Sequence, residues 1–80
     1  MRPNPATSFI EFDINTKNTE TIYINVVDML GKNILTQAKQ LAIGFQTANI
    51  NIENLNNGIY TVIITNNRDI KRAFKFIKLD

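Results

Sequence analysis

Cysteine, histidine and tryptophan are all missing from this chain of 80 residues. Without cysteine there is no disulfide staple and no thiolate nucleophile, and without cysteine or histidine a Cys/His zinc site is excluded. No apolar run approaches the roughly 20 residues of a membrane-spanning helix, so direct membrane insertion is not expected. Met1-Arg2-Pro3 leads straight into a turn and begins no signal peptide, so export would need a signal on a longer parent. No nucleophile–base pair, phosphate-binding glycine loop or metal-ligand spacing is present, and the chain reads as a non-enzyme with no cofactor.

What is present is enough apolar material to fold. Hydrophobic residues make up 44% of the chain and the formal net charge is only +2, which gives no reason to expect disorder. Eighty residues allow one domain with a small core. Thirteen Ile and twelve Asn bias the chain toward strands and toward the turns between them.

Hydropathy alternates with a period of two almost throughout. Ile10, Phe12 and Ile14 share one face of Ser8–Ile14, with Glu11 and Asp13 on the other. Ile22, Ile24 and Val26 oppose Tyr23, Asn25 and Val27. Ala48, Ile50 and Ile52 oppose Asn49 and Asn51, and Tyr60, Val62 and Ile64 share a face. A last segment runs from Ile70 to Leu79. Short strands with turn signals about every 8–12 residues predict an antiparallel sandwich or barrel. Asn33–Ala42 is ambiguous: Ile34, Leu35, Ala38, Leu41 and Ala42 approximate a helical stripe, but a strand or loop passage suits its neighbours better.

Turn chemistry divides these segments. Asp28-Met29-Leu30-Gly31 has Asp first and Gly fourth, as in a type I turn followed by a bulge. Asn66-Asn67-Arg68-Asp69 should close a hairpin. Pro3-Asn4-Pro5 fixes an extended opening that cannot enter a central strand, which puts a linker end at residues 1–5 and a β-sandwich domain at 6–80. In Leu55-Asn56-Asn57-Gly58-Ile59-Tyr60, Gly58 would supply an unusual backbone angle. Tyr60 stands where a tyrosine corner would return its hydroxyl to upstream backbone, a ligand-binding tyrosine being the other reading.

The basic end of the chain carries the functional question. Arg68, Lys71, Arg72, Lys75 and Lys78 lie within eleven residues. Alternation sends Lys71 and Lys75 to one face with Ala73 and Ile77, and Arg72 and Lys78 to the other with Phe74 and Phe76, so neither face reads as a clean core face. A guarded edge strand and a docking strand for a partner are both open. A nucleic-acid surface stacking bases on Phe74 or Phe76 is disfavoured by the modest charge elsewhere, and no nucleic acid is expected as a partner. Glu11 and Asp13, two apart on one strand face, read as solvated carboxylates rather than a glycosidase pair or calcium site.

Taken in order, Pro3-Asn4-Pro5, Asp28-Met29-Leu30-Gly31-Lys32, Asn51 to Tyr60 and Lys75-Phe76-Ile77-Lys78 resemble the type A C-terminal sorting domain of proteins exported by the type IX secretion system of Gram-negative bacteria. The resemblance spans essentially the whole chain. It implies an immunoglobulin-like antiparallel β-sandwich of about seven short strands, covalently attached behind an N-terminal cargo domain. It further implies passage through the periplasm to the cell surface or medium. The implied partners are outer-membrane translocon components and a sortase-like protease that cuts ahead of the domain. Pro3, Asn4 and Pro5 match the opening motif, Gly58 and Tyr60 the Gly-x-Tyr corner, with Asp28, Gly31 and Leu55 as further structural positions. Lys75, Phe76, Ile77 and Lys78 match the terminal recognition motif. Arg2 departs from the family, where an aromatic or aliphatic residue often precedes Pro-Asn-Pro. The alternative is a carbohydrate-binding or adhesion sandwich appended to a secreted enzyme, for which the chain offers few aromatics.

Overall fold

The alternating segments become strands because each can bury one row of side chains while its backbone pairs with a neighbour. A computed structural model of the chain describes residues 8–66 and 70–79. Six strands are formed among them: β1 (Phe9–Thr16), β2 (Glu20–Val27), β3 (Asn33–Leu41), β4 (Gly44–Asn51), β5 (Gly58–Thr65) and β6 (Ile70–Lys78). All pairings are antiparallel. β1 and β4 form one sheet; the other has the order β3-β2-β5-β6. The all-β expectation holds, with six strands among the described residues where about seven were expected.

The two sheets share one core. Ile10, Phe12, Ala48 and Ile50 of the small sheet meet Ile22, Ile24, Val26, Val62, Ile64 and Phe76 of the large one. Each fully buried Ile, Val or Phe among them contributes about 1.5–3 kcal/mol through loss of apolar surface from water. Every inward row read from the alternation of β1, β2, β4 and β5 is buried here.

The Asn33–Ala42 ambiguity resolves to strand. β3 alternates in exposure along its length, and Leu35 and Leu41 turn inward. Leu35 stands opposite Val26, and a register shift between Val26 and Val27 takes up one extra residue. Pairing with β2 satisfies the backbone and the core contact together, which an incomplete helical stripe could not.

The turn from β2 to β3 forms as its residues require. Gly31 donates to the Asp28 carbonyl at 3.1 Å and has φ of 85°, a conformation costly for a residue with a Cβ. The Asp28 carboxylate accepts the Leu30 and Lys32 N–H groups, both at 2.9 Å. Pro3-Asn4-Pro5, Asn67, Arg68 and Asp69 lie outside the described residues, although the antiparallel pairing of β5 with β6 is that of the expected hairpin.

Register also fixes what shares each end of the molecule. Phe9 is opposite Asn51, and Ile52 donates to the Ser8 carbonyl at 3.0 Å. A short corner leads from there to Gly58, which pairs with Lys78. The start of β1, the corner and the end of β6 therefore gather at one pole, together with the Asp28–Gly31 turn.

Candidate functional site

The corner before β5 is built from its own backbone. The Asn51 side chain accepts the Glu53 N–H at 2.9 Å, and Leu55 donates to the Ile52 carbonyl at 3.0 Å while its side chain packs against the core. The Tyr60 hydroxyl donates to the Asn56 carbonyl at 2.6 Å. This is the tyrosine-corner contact, and such a bond contributes about 1 kcal/mol. Gly58 has φ of 156°, at the margin of extended backbone, and a Cβ there would stand 3.9 Å from the Tyr60 ring. The Tyr60 ring stacks on Phe76, with centroids 5.5 Å apart and planes at 22°. The corner thus grips the terminal strand directly, because Tyr60 and Phe76 face each other across β5 and β6.

Along β6 the four terminal-motif residues divide by parity. Phe76 and Lys78 point inward and are each only 1% exposed, while Lys75 and Ile77 point outward, Ile77 being 42% exposed. One expectation is corrected here: β6 does have a core face, made of Arg72, Phe74, Phe76 and Lys78. Long cations can occupy such a row when their stems lie along apolar surface and their heads find partners. The Arg72 guanidinium sits 5.6 Å from the centroid of Phe12 and 5.5 Å from that of Phe74, and donates to the Asp13 carbonyl at 2.6 Å. It ties β6 to β1 across the two sheets, with cation–π attraction adding to the hydrogen bond. Lys78 is fully enclosed and is not without an interaction partner, which a buried cation needs.

The aromatic rings of β6 belong to the interior as well. Phe74 meets Phe12 edge to face at 5.8 Å, and Phe76 is covered by Tyr60. Neither is presented for base stacking. The Asp13 carboxylate accepts the Thr47 hydroxyl at 2.9 Å, and no group of three potential metal ligands occurs among the described residues.

The outward residues of β6 meet a surface that alternation alone did not mark. Lys75 is opposite Thr61, and Ile77 is opposite Ile59, which is 42% exposed. A groove of about 270 Å³ is lined by Asp28, Met29, Ile59, Thr61 and Lys75. Met29 is 76% exposed at the turn between β2 and β3. Met29 and Ile59 are the residues the sequence reading missed. The available signal was an apolar side chain at a turn and another on the outward row of β5.

A small module of two antiparallel sheets, with a buttressed corner and a half-exposed basic final strand, is defined by what its surface offers to others. The chain belongs to the family of secretion system C-terminal sorting domains, whose model matches residues 1–78. It is a C-terminal sorting signal for type IX secretion, borne by a cargo destined for the cell surface or the exterior. No curated protein and no solved structure gives a match.

Proposed function

We propose that a component of the outer-membrane type IX translocon reads this module along its last strand, after the attached cargo has crossed the periplasm. A sortase-like protease then cuts in the linker ahead of Pro3-Asn4-Pro5, which makes residues 1–5 the linker end and 6–80 the sorting domain. The module is a substrate of this machinery and performs no catalysis. The observation that carries the proposal is the placement of the terminal motif. β6 is the last strand of its sheet and pairs with β5 alone among the described strands. Lys75 and Ile77 project outward from it. The start of β1 and the end of β6 share a pole, so a receptor holding the signal would sit at the end where the described chain begins.

The module is of the immunoglobulin-like kind. The order β3-β2-β5-β6 facing β1-β4 has the pattern of strands C′-C-F-G packed on B and E. Tyr60 then falls at the start of the F position, where the tyrosine corner of that fold lies.

Removing residues 6–80 from the full-length exported protein is the direct test. The truncated cargo should accumulate in the periplasm and disappear from the cell surface and medium. Undiminished secretion of that truncated cargo would defeat the reading. Deleting only Lys75 to Asp80 is a poorer experiment, because it also takes Phe76 and Lys78 out of the core.

A further inference from the structure

The terminal motif is only half accessible, and its accessible half does not stand alone. Lys75 and Ile77 are continued sideways by Thr61 and Ile59 of β5, and then by Met29 of the β2–β3 turn. Two exposed apolar side chains, Met29 and Ile59, thus share the groove with Lys75, and a third, Ile77, stands opposite Ile59. Lys75 forms no ion pair or side-chain hydrogen bond among the described residues. The acid lining the same groove, Asp28, has Oδ1 occupied by two backbone N–H groups of its own turn. A cation sharing its groove with Met29 and Ile59, with Ile77 exposed opposite Ile59, is complementary to a carboxylate that arrives flanked by apolar side chains. Burying these apolar side chains would then lower the local dielectric and strengthen the charge pair.

We propose that this groove, lined by Asp28, Met29, Ile59, Thr61 and Lys75 and flanked by Ile77 opposite Ile59, is the surface that the export machinery grips. Its occupant is a protein segment presenting a carboxylate between apolar side chains. Lys78 and Phe76 take no part in the contact; they hold β6 so that Lys75 and Ile77 face outward. This rests on the reading of the module as a translocon-docking signal, and it adds residues from other elements together with the chemistry of the partner.

The test uses the full-length exported protein in its secreting host. Lys75→Arg should preserve secretion, Lys75→Met should lower it, and Lys75→Glu should lower it further. Capture by the machinery should weaken by at least about tenfold for charge reversal at a buried charge pair. Met29→Ser combined with Ile59→Thr should lower secretion with Lys75 intact. Lys17→Glu, at an exposed position at the other pole, should have no effect. Resistance to limited proteolysis of each retained protein shows that the module is still folded; Lys75→Met, which removes only a charge from an outward side chain, carries the test if Lys75→Glu fails that check. Equal secretion of the Arg, Met and Glu variants would overturn the acidic partner, and normal secretion of the Met29/Ile59 variant would overturn the groove. Loss of secretion on removing the whole module, alongside either result, would leave the docking reading standing while this inference fell. Two findings with the purified full-length protein would also refute it by giving the groove another occupant: self-association abolished by Lys75→Glu, or binding to phosphatidylglycerol vesicles abolished by the same change.

Discussion

β1 and β6 are both strands that pair on one side only among the described residues, yet they handle alternation differently. In the middle of β1 polarity and direction coincide: Ile10, Phe12 and Ile14 are buried and Glu11 and Asp13 lie on the outer row, with exceptions only at the ends, where Phe9 is exposed and Thr16 is buried. In β6 they part company. The inward row contains two cations, Arg72 and Lys78, and the outward row contains Ala73 and Ile77. Burying a cation is costly unless its head is paired, and exposing an apolar side chain forgoes its transfer energy. A strand carrying both departures is shaped by demands beyond closing the core. For β6 the inward cations fasten the strand, Arg72 to the backbone of β1 and Lys78 within the interior, while the outward row stays at the surface.

Truncating the inward row should produce the largest loss. Phe76 is 1% exposed and stacked on Tyr60. Phe76→Ala removes its packing and leaves a cavity beside the corner, at a cost of about 3–5 kcal/mol. In so small a domain that is a large fraction of the whole stability. Urea unfolding of the module should show a sharply lowered midpoint, or no folded baseline at all. A midpoint within experimental error of the parent would mean that Phe76 is not a core residue and that the two faces of β6 are not distinct.

How much of this was visible in the sequence follows from the same contrast. Where the inward row is a run of alternate apolar residues, as over residues 10–14, 22–26, 48–52 and 60–64, the strands and their buried rows could be read directly. The Asp28–Gly31 turn and the Tyr60 corner were also legible, because each depends on a local backbone geometry that few residue types satisfy. The opposite is true of Lys78. Its burial rests on neighbours distant in sequence, and a lysine is ordinarily a solvent residue. The groove was illegible for a related reason: Met29 and Ile59 are brought beside Lys75 only by the pairing of β2 with β5 and of β5 with β6. The sequence reading singled out Lys75 and Lys78 alike, and only the fold shows that they face opposite ways.

A single kind of substitution at two sites sharpens the comparison. Lys78→Met keeps much of the side chain's length and removes its charge, leaving whatever polar partner it holds unmatched in a buried setting. The expected loss is about 1–3 kcal/mol, the cost of an unsatisfied buried group.

Lys75→Met makes the identical change three residues earlier on the same strand, and its effect on folding should be the smallest of all. The Lys75 side chain projects into solvent with no ion pair among the described residues, so the stability change should stay within about 0.5 kcal/mol. Urea midpoints of the two variants, measured beside the parent, give the difference directly. Secretion adds the converse, since Lys75→Met should impair export of a module that folds normally. Lys78→Met should impair export only to the extent that it unfolds the strand, so conditions that restore its fold should restore its secretion. Equal stability losses at the two lysines would show that the inward and outward faces of β6 are not separate in solution. A folded Lys78→Met module that stays unexported would show that the receptor reaches the inward face as well, which requires the end of β6 to lift off the core during recognition.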